Sequence, residues 1–353
     1  MATQPNLVQR TLQKLSQATS PYTTRAARGT STSATTTAAT GRTPVYFVSH
    51  GGVRYPFPNI SHLVTYSPSL TFCFFSGEEK PNIMYQVEHP AFHQFQKIGK
   101  EITTKVKPKA VVVFSAHWQA AAAGSKVEVN TAEFADLIYD YNGFPDHYYK
   151  HKYPNVGSQE LAEKVLELLE EAGIESQGVK RGLDHGVFTP FTCMFDPEEN
   201  PLGVPVVQVS LFGQEDPNMH YALGRAVSKL RDEGVYIISG SVLPYSDSLL
   251  NPNDGFSDLQ SARMSGKLLD YVVPFDEAIK EAVTNVASGE ERKAKLAELL
   301  TRSDARNAHP TFEHLLPVHI ASGAAGGDNA VQLWTLPEMS MSWAQYRFGE
   351  VQS

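Results

Sequence analysis

Cysteine is scarce in this chain. Cys73 and Cys193 are the only two in 353 residues, they lie far apart, and no C-x-x-C spacing occurs. That excludes a thiolate zinc knuckle and argues against a disulfide framework, so a reducing compartment fits best. Long apolar runs are missing as well. Segments such as Ala110–Phe114 and Tyr236–Ile238 fall far short of the roughly 20 residues that span a bilayer, and no membrane partner is expected. Basic residues are in deficit, with a formal net charge of -8. Nucleic-acid binding needs a concentrated cationic face to displace counterions, so no nucleic-acid partner is expected either.

Acid is missing from one end, since no Asp or Glu precedes Glu78. The first 43 residues are rich in Ser, Thr and Ala, carry Arg10, Lys14, Arg25, Arg28 and Arg42, and place Leu7, Val8, Leu12 and Leu15 on one helical stripe. Two readings stay open: an amphipathic mitochondrial presequence, or a low-complexity tail with too little apolar surface to order itself. Either way residues 1–43 stand outside the fold, and the expected location is cytoplasmic or mitochondrial.

What the chain does have is the 41% hydrophobic share of a globular protein. From Pro44 onward, apolar β-rich runs at Val45–Ser49, Ala110–Ala116, Val204–Leu211, Val235–Gly240 and Val331–Thr335 alternate with helical patterns. Apolar strands separated by helices imply a sheet buried on both faces. The expectation is an α/β fold: a single domain, 44–345, with a mainly parallel central sheet flanked by helices on both faces, then a tail at 346–353. Ser158 caps a helix to Ala172, and Asp216 with Pro217 opens one over Asn218–Glu233, ended by Gly234. Further helices are expected at Glu88–Thr103, Ser257–Tyr271, Glu290–Leu300 and Thr311–Ser322. The Pro- and aromatic-rich stretch 53–87 reads as a long loop insertion, either a lid or a surface excursion with its own small apolar cluster.

Twelve histidines are present, and those at strand ends matter most, because open α/β sheets bind ligands beyond the carboxyl ends of their strands. His50 ends Val45–Ser49 and is followed by Gly51 and Gly52, which permit a sharp turn. His117 ends the run Val111–Ala116, and His185 lies in the tight polar turn Leu183-Asp-His-Gly. Neutral imidazoles suit first-row divalent metals. The aromatic-rich stretch Tyr139–Tyr149 is a candidate wall for a planar ring.

The segments Ser49-His-Gly-Gly, Ser115-Ala-His-Trp, Leu183-Asp-His-Gly and His309-Pro-Thr-Phe-Glu-His, in that order, resemble the class III extradiol ring-cleavage dioxygenases of the LigB-like, DOPA 4,5-dioxygenase type. The resemblance runs from about Pro44 to Trp334. It implies a mononuclear metal ion, Fe(2+) or Zn(2+), with ligands at His50, His117 and His314, and His185 as the catalytic histidine beside the substrate. Glu313 would be a neighbour of the site. It also implies a small catechol-type aromatic substrate and O2 as partners, with ring opening that retains both oxygen atoms. His309 and His319 read as packing or surface residues and His220 as helix packing, and the same structural reading holds for His62, His89, His93, His147 and His151.

One departure stands out. After Tyr236–Gly240 the family continues to a further histidine that assists proton transfer, and here Pro244 falls at that place. Proline neither ligates nor carries a proton, which leaves His185 as the candidate for proton handling and Tyr245 as a poorer substitute. Two alternatives follow: a zinc-dependent hydrolase or other Lewis-acid enzyme on the same histidines, or a catalytically silent relative that keeps the metal fold.

Overall fold

The computed structural model describes residues 41–50, 83–121, 126–141, 144–241, 243–245 as main chain, and 267–352. Nearly all of the 1–43 segment, most of the 53–87 insertion, most of the helix expected at Ser257–Tyr271, His62 and Cys73 lie outside the described residues.

Every strand expected from sequence is present. The main sheet holds β1 (Val45–Ser49), β2 (Ala110–Gln119), β3 (Val127–Asn130), β5 (Ser176–Val179), β7 (Val206–Leu211), β8 (Val235–Ser241), β10 (Ala330–Trp334) and β13 (Gln345–Phe348). Their order is β10-β13-β1-β8-β2-β7-β3-β5. The β1–β8, β8–β2, β2–β7 and β3–β5 pairs are parallel. The pairs made by β13 with β1 and β10, and by β3 with β7, are antiparallel. A two-stranded sheet joins β4 (Leu137–Ile138) to β6 (Leu183–Asp184), and a third sheet runs β11 (Pro337–Glu338), β12 (Met341–Ser342), β9 (Leu243–Tyr245).

Strand side chains alternate between faces, and here both faces are dry. Val45, Phe47, Val112, Phe114, Val235 and Ile237 enter one apolar core, while Tyr46, Val48, Val111, Val113, Tyr236 and Ile238 enter the other. The first core is closed by helices Gln159–Glu171, Pro217–Val227, Val272–Thr284, Gly289–Leu299 and Leu316–Ala325, and the second by Pro90–Glu101 and His185–Met194. None of the described helices is long and apolar enough to cross a membrane.

Local chemistry explains the helix ends. Ser158 Oγ accepts from the Leu161 amide at 3.1 Å, and Asp216 Oδ1 accepts from Asn218 and Met219 at 2.7 and 3.1 Å. The long helix expected over 218–233 tightens after Val227 into a 3-10 segment, Ser228–Glu233, and stops at Gly234 with φ +86°. The helix expected from Thr311 is two pieces, a 3-10 turn Phe312–His314 and then Leu316–Ala325 with Pro317 in its first turn. Helices His185–Met194 and Val272–Thr284 were not expected. The first is buried at nine of its ten positions, so it has no polar face to reveal a helical period. Strand β13 carries the sheet three residues past the expected domain end at 345 and sits inside the sheet, between β10 and β1.

Candidate active site

Four histidines converge beyond the carboxyl ends of the central parallel strands. His50 follows β1, and its amide donates to Ser241 O at 2.8 Å, extending the β1–β8 ladder by one step. Gln345 Nε2 holds Ser49 O from β13 at 2.8 Å. His117 lies where β2 leaves register: Phe114 faces Val209 and Gln119 faces Leu211, five residues along β2 against two along β7. Extra residues in a strand bulge it outward and re-aim its side chains. His185 is the first residue of its helix, and its amide donates to Asp140 Oδ1 at 3.0 Å. His314 ends its 3-10 turn, and Ser241 Oγ donates to its carbonyl.

The His117 ring centre lies 4.0 Å from that of His185, 5.0 Å from His314 and 5.4 Å from His50. One nitrogen each from His50, His117 and His185 can be chosen so that all three lie within 4.8 Å of one another. His314 is outside that tight group, with its Nδ1 2.8 Å from Glu313 Oε1. The ligand set expected from sequence joins His314 to His50 and His117 and puts His185 beside them; the tightest grouping of ring nitrogens contains His185, and the His314 ring centre lies 5.0 Å from that of His117.

Electrostatics favour neutral imidazole at the centre. Burial pushes His117 well below the ordinary range, and His185, His314 and His50 add to the effect. A neutral ring keeps a lone pair for a cation. His117 Nε2 is buried with no hydrogen-bond partner among the described residues, a costly arrangement for a polar atom unless something else meets it. This donor set fits a divalent first-row ion. Two carboxylates stand behind the rings. Asp140 Oδ1 is 2.8 Å from His185 Nδ1, and Oδ2 is 3.7 Å from His117 Nδ1. Burial works to raise the Asp140 pKa, but its contacts with His185 outweigh that and hold it below the usual range. Glu313 is likewise opposed by burial, and its bond to His314 brings it down to about 2. Carboxylates so placed fix ring orientation and tautomer.

The family model described as the catalytic LigB subunit of aromatic ring-opening dioxygenase matches residues 66–348. The chain belongs to this family. A 4,5-DOPA dioxygenase extradiol of Beta vulgaris is 34% identical over 281 residues, 78% of this chain and 95% of that protein. A 4,5-DOPA dioxygenase extradiol-like protein of Schizosaccharomyces pombe is 34% identical over 235 residues, 65% of this chain and 73% of its own length. The crystal structure of an uncharacterised Escherichia coli protein shares the fold, with a TM-score of 0.58 at 24% identity, over 87% of this chain and all of that one.

As a member of the LigB family the protein is an extradiol, ring-opening dioxygenase with a metal ion implied, and membership favours neither the hydrolase nor the silent-relative reading. Of the described histidines outside the site, His220, His309 and His319 are buried, His89 and His151 are half-buried, and His93 and His147 are exposed. His220 and His319 are buried on neighbouring helices, with Nδ1 against Asp216 O and Leu315 O at 2.8 and 3.4 Å. Burial brings each down to about 4. His309 is buried against Phe275, ring centres 5.4 Å apart, and pushed down to about 3, first by burial. His89 caps its helix through Ala91 N, and His151 Nε2 meets Thr192 Oγ1 at 2.9 Å. Pro244 lies in β9, paired to β12 through Leu243 and Tyr245; its side chain and that of Tyr245 lie outside the described residues.

Sequence reasoning missed Asp140 and Gly186. Asp140 sits inside the aromatic stretch that was expected to form a wall, and Tyr141 does place its ring 5.7 Å from that of His185. The one acid between Tyr139 and Tyr141 was the available signal. At Gly186 a Cβ would fall 2.3 Å from Ser115 Oγ and 2.8 Å from His117 Cδ2, so the glycine after His185 is what lets this helix press onto β2.

Proposed function

We propose that this protein opens the ring of a catechol-type aromatic with O2, beside the diol, at one divalent ion held by His50, His117 and His185, with ferrous iron as the working metal. The observation that carries the reading is the close approach of three imidazole nitrogens beyond the strand ends in a chain of the ring-opening LigB family. The metal, when bound, supplies acidification of a catechol hydroxyl and an electron path between ring and dioxygen. Both oxygen atoms end in the product, so no separate reductant is consumed.

The chain's own residues supply the rest. Asp140 orients His185 and His117 from behind. His314, held at Nδ1 by Glu313, takes the proton-handling place first expected of His185, as an imidazole oriented by a carboxylate can act as general base and then general acid. Tyr141 and the rings of Tyr139, Tyr149 and Phe188 around it offer edges and faces to a planar substrate and exclude water on that side. Relatives are named for 4,5-DOPA, which supports a DOPA-like catechol as substrate. The acid-free N-terminal segment supports a cytoplasmic or mitochondrial location.

The test is oxygen uptake by protein loaded anaerobically with ferrous ion or with zinc, then given a panel of catechols that includes DOPA. Uptake with the ferrous form and a yellow ring-opened product are expected. Bound iron with no uptake on any catechol would sink the proposal.

A further inference from the structure

An aspartate at a helix N-cap ordinarily folds its carboxylate back onto the helix's own amides. Asp184 holds that position for helix His185–Met194 and makes no such bond; the His185 amide is met by Asp140 from another loop. The Asp184 carboxylate is fully buried and points into the sheet. Ser115 Oγ of β2 donates to its Oδ1 at 2.7 Å, while Gln208 Nε2 of β7 and Arg181 Nη1 donate to its Oδ2 at 2.6 and 2.9 Å. The same groups reach on to His117. Its amide donates to Ser115 Oγ at 3.2 Å, and Arg181 Nη2 donates to its carbonyl at 3.4 Å. The Arg181 guanidinium carbon lies over the Trp118 ring, 4.6 Å from its centre.

A carboxylate taken wholly out of water costs several kcal/mol unless it is paired and hydrogen-bonded. Here its bonds tie the bulge of β2 to the residue before His185, the two places whose rings are closest in the site. We infer that Asp184 is the positioning residue that fixes His117 and His185 at their mutual distance, acting through Ser115 and Arg181 and never on the substrate. The inference rests on the metal reading above. The side chain is committed to donors on β2, β7 and the 181–184 turn, so its loss lets the bulge and the helix start move independently. Gly186 leaves no side chain between them to keep the spacing.

Cobalt(II) is the probe, because its visible absorption reports coordination geometry without turnover. In the full-length protein, Asp184→Asn keeps the shape but loses the charge that pairs with Arg181 and replaces one of the two accepting oxygens by an amide donor. Cobalt affinity is expected to fall about tenfold or more, as for other groups that orient ligands, and the absorption band to change shape, while cooperative unfolding is retained. A lowered unfolding midpoint with unchanged affinity and band would overturn the inference, since Asp184 would then serve stability alone. If Asp184→Asn fails to fold, Ser115→Ala removes one spoke of the same network, and an unaltered band there overturns it equally. Wild-type protein that binds no cobalt would overturn the metal reading and this inference with it, an outcome distinct from wild-type binding that the variants preserve.

Discussion

At the scale of single residues, the decisive contacts are those that aim the histidines. Asp140 reaches two rings and the first amide of a helix with one carboxylate, so Asp140→Asn is expected to weaken metal binding about 10–100-fold; metal titration of the purified variant measures this directly. Gly186→Ala puts a methyl into space already held by Ser115 and His117. Overpacking of this kind costs roughly 1–3 kcal/mol, and the strain falls on the site, so lower stability in urea and lower metal content are expected together. Histidines at strand ends were legible in the sequence because residue type and strand end are both local properties. Asp140 was not, because the stretch around it has no helical or strand period, and its partners lie at 117 and 185.

At the scale of elements, helices Pro217–Val227 and Leu316–Ala325 cross at glycines. A Cβ on Gly224 would meet Ile320 O at 2.0 Å, and one on Gly323 would meet Tyr221 O at 2.0 Å. Both contacts are with backbone, which cannot swing aside, so Gly323→Ala is expected to cost about 1–3 kcal/mol, read as a fall in the denaturant midpoint. Leu316–Ala325 begins two residues after His314, and the same variant is expected to disturb His314 more than His50, which is anchored separately by β8 and β13. Caps and apolar periods revealed the amphipathic helices, Gln159–Glu171 above all. The helix that starts at His185 escaped notice because almost every residue in it is buried, leaving neither a polar face nor a capping bond from Asp184. The bulge of β2 at His117 was equally hidden, since it exists only as a mismatch with β7.

At the scale of the whole molecule, burial of neutral histidines makes stability depend on pH. His220 and His319 fall from the ordinary 6.5 to about 4 in the fold, chiefly through burial. Between those values the unfolded chain binds protons that the folded chain does not, so stability is full above about pH 6.5 and is lost as pH falls toward 4. Each such histidine contributes a slope of about 1.4 kcal/mol per pH unit in that window. Urea unfolding at pH 7 and pH 5 is expected to show the loss, and His220→Gln with His319→Gln to reduce it, with buried His309 still contributing; an unchanged slope would contradict the assignment. The doubly covered sheet was readable from its apolar strands, whereas the antiparallel insertion of β13 between β10 and β1 depended on pairing across some 300 residues of chain, which no local pattern encodes.

The central claim is that His50, His117 and His185 together hold the metal. Its most direct test is the metal content of four single variants, each shown to be folded and each loaded anaerobically with ferrous ion. His50→Ala, His117→Ala and His185→Ala are expected to lose the ion, while His314→Ala retains it and loses turnover. Retention of metal by His185→Ala, with loss from His314→Ala, would contradict the account and return His314 to the ligand set.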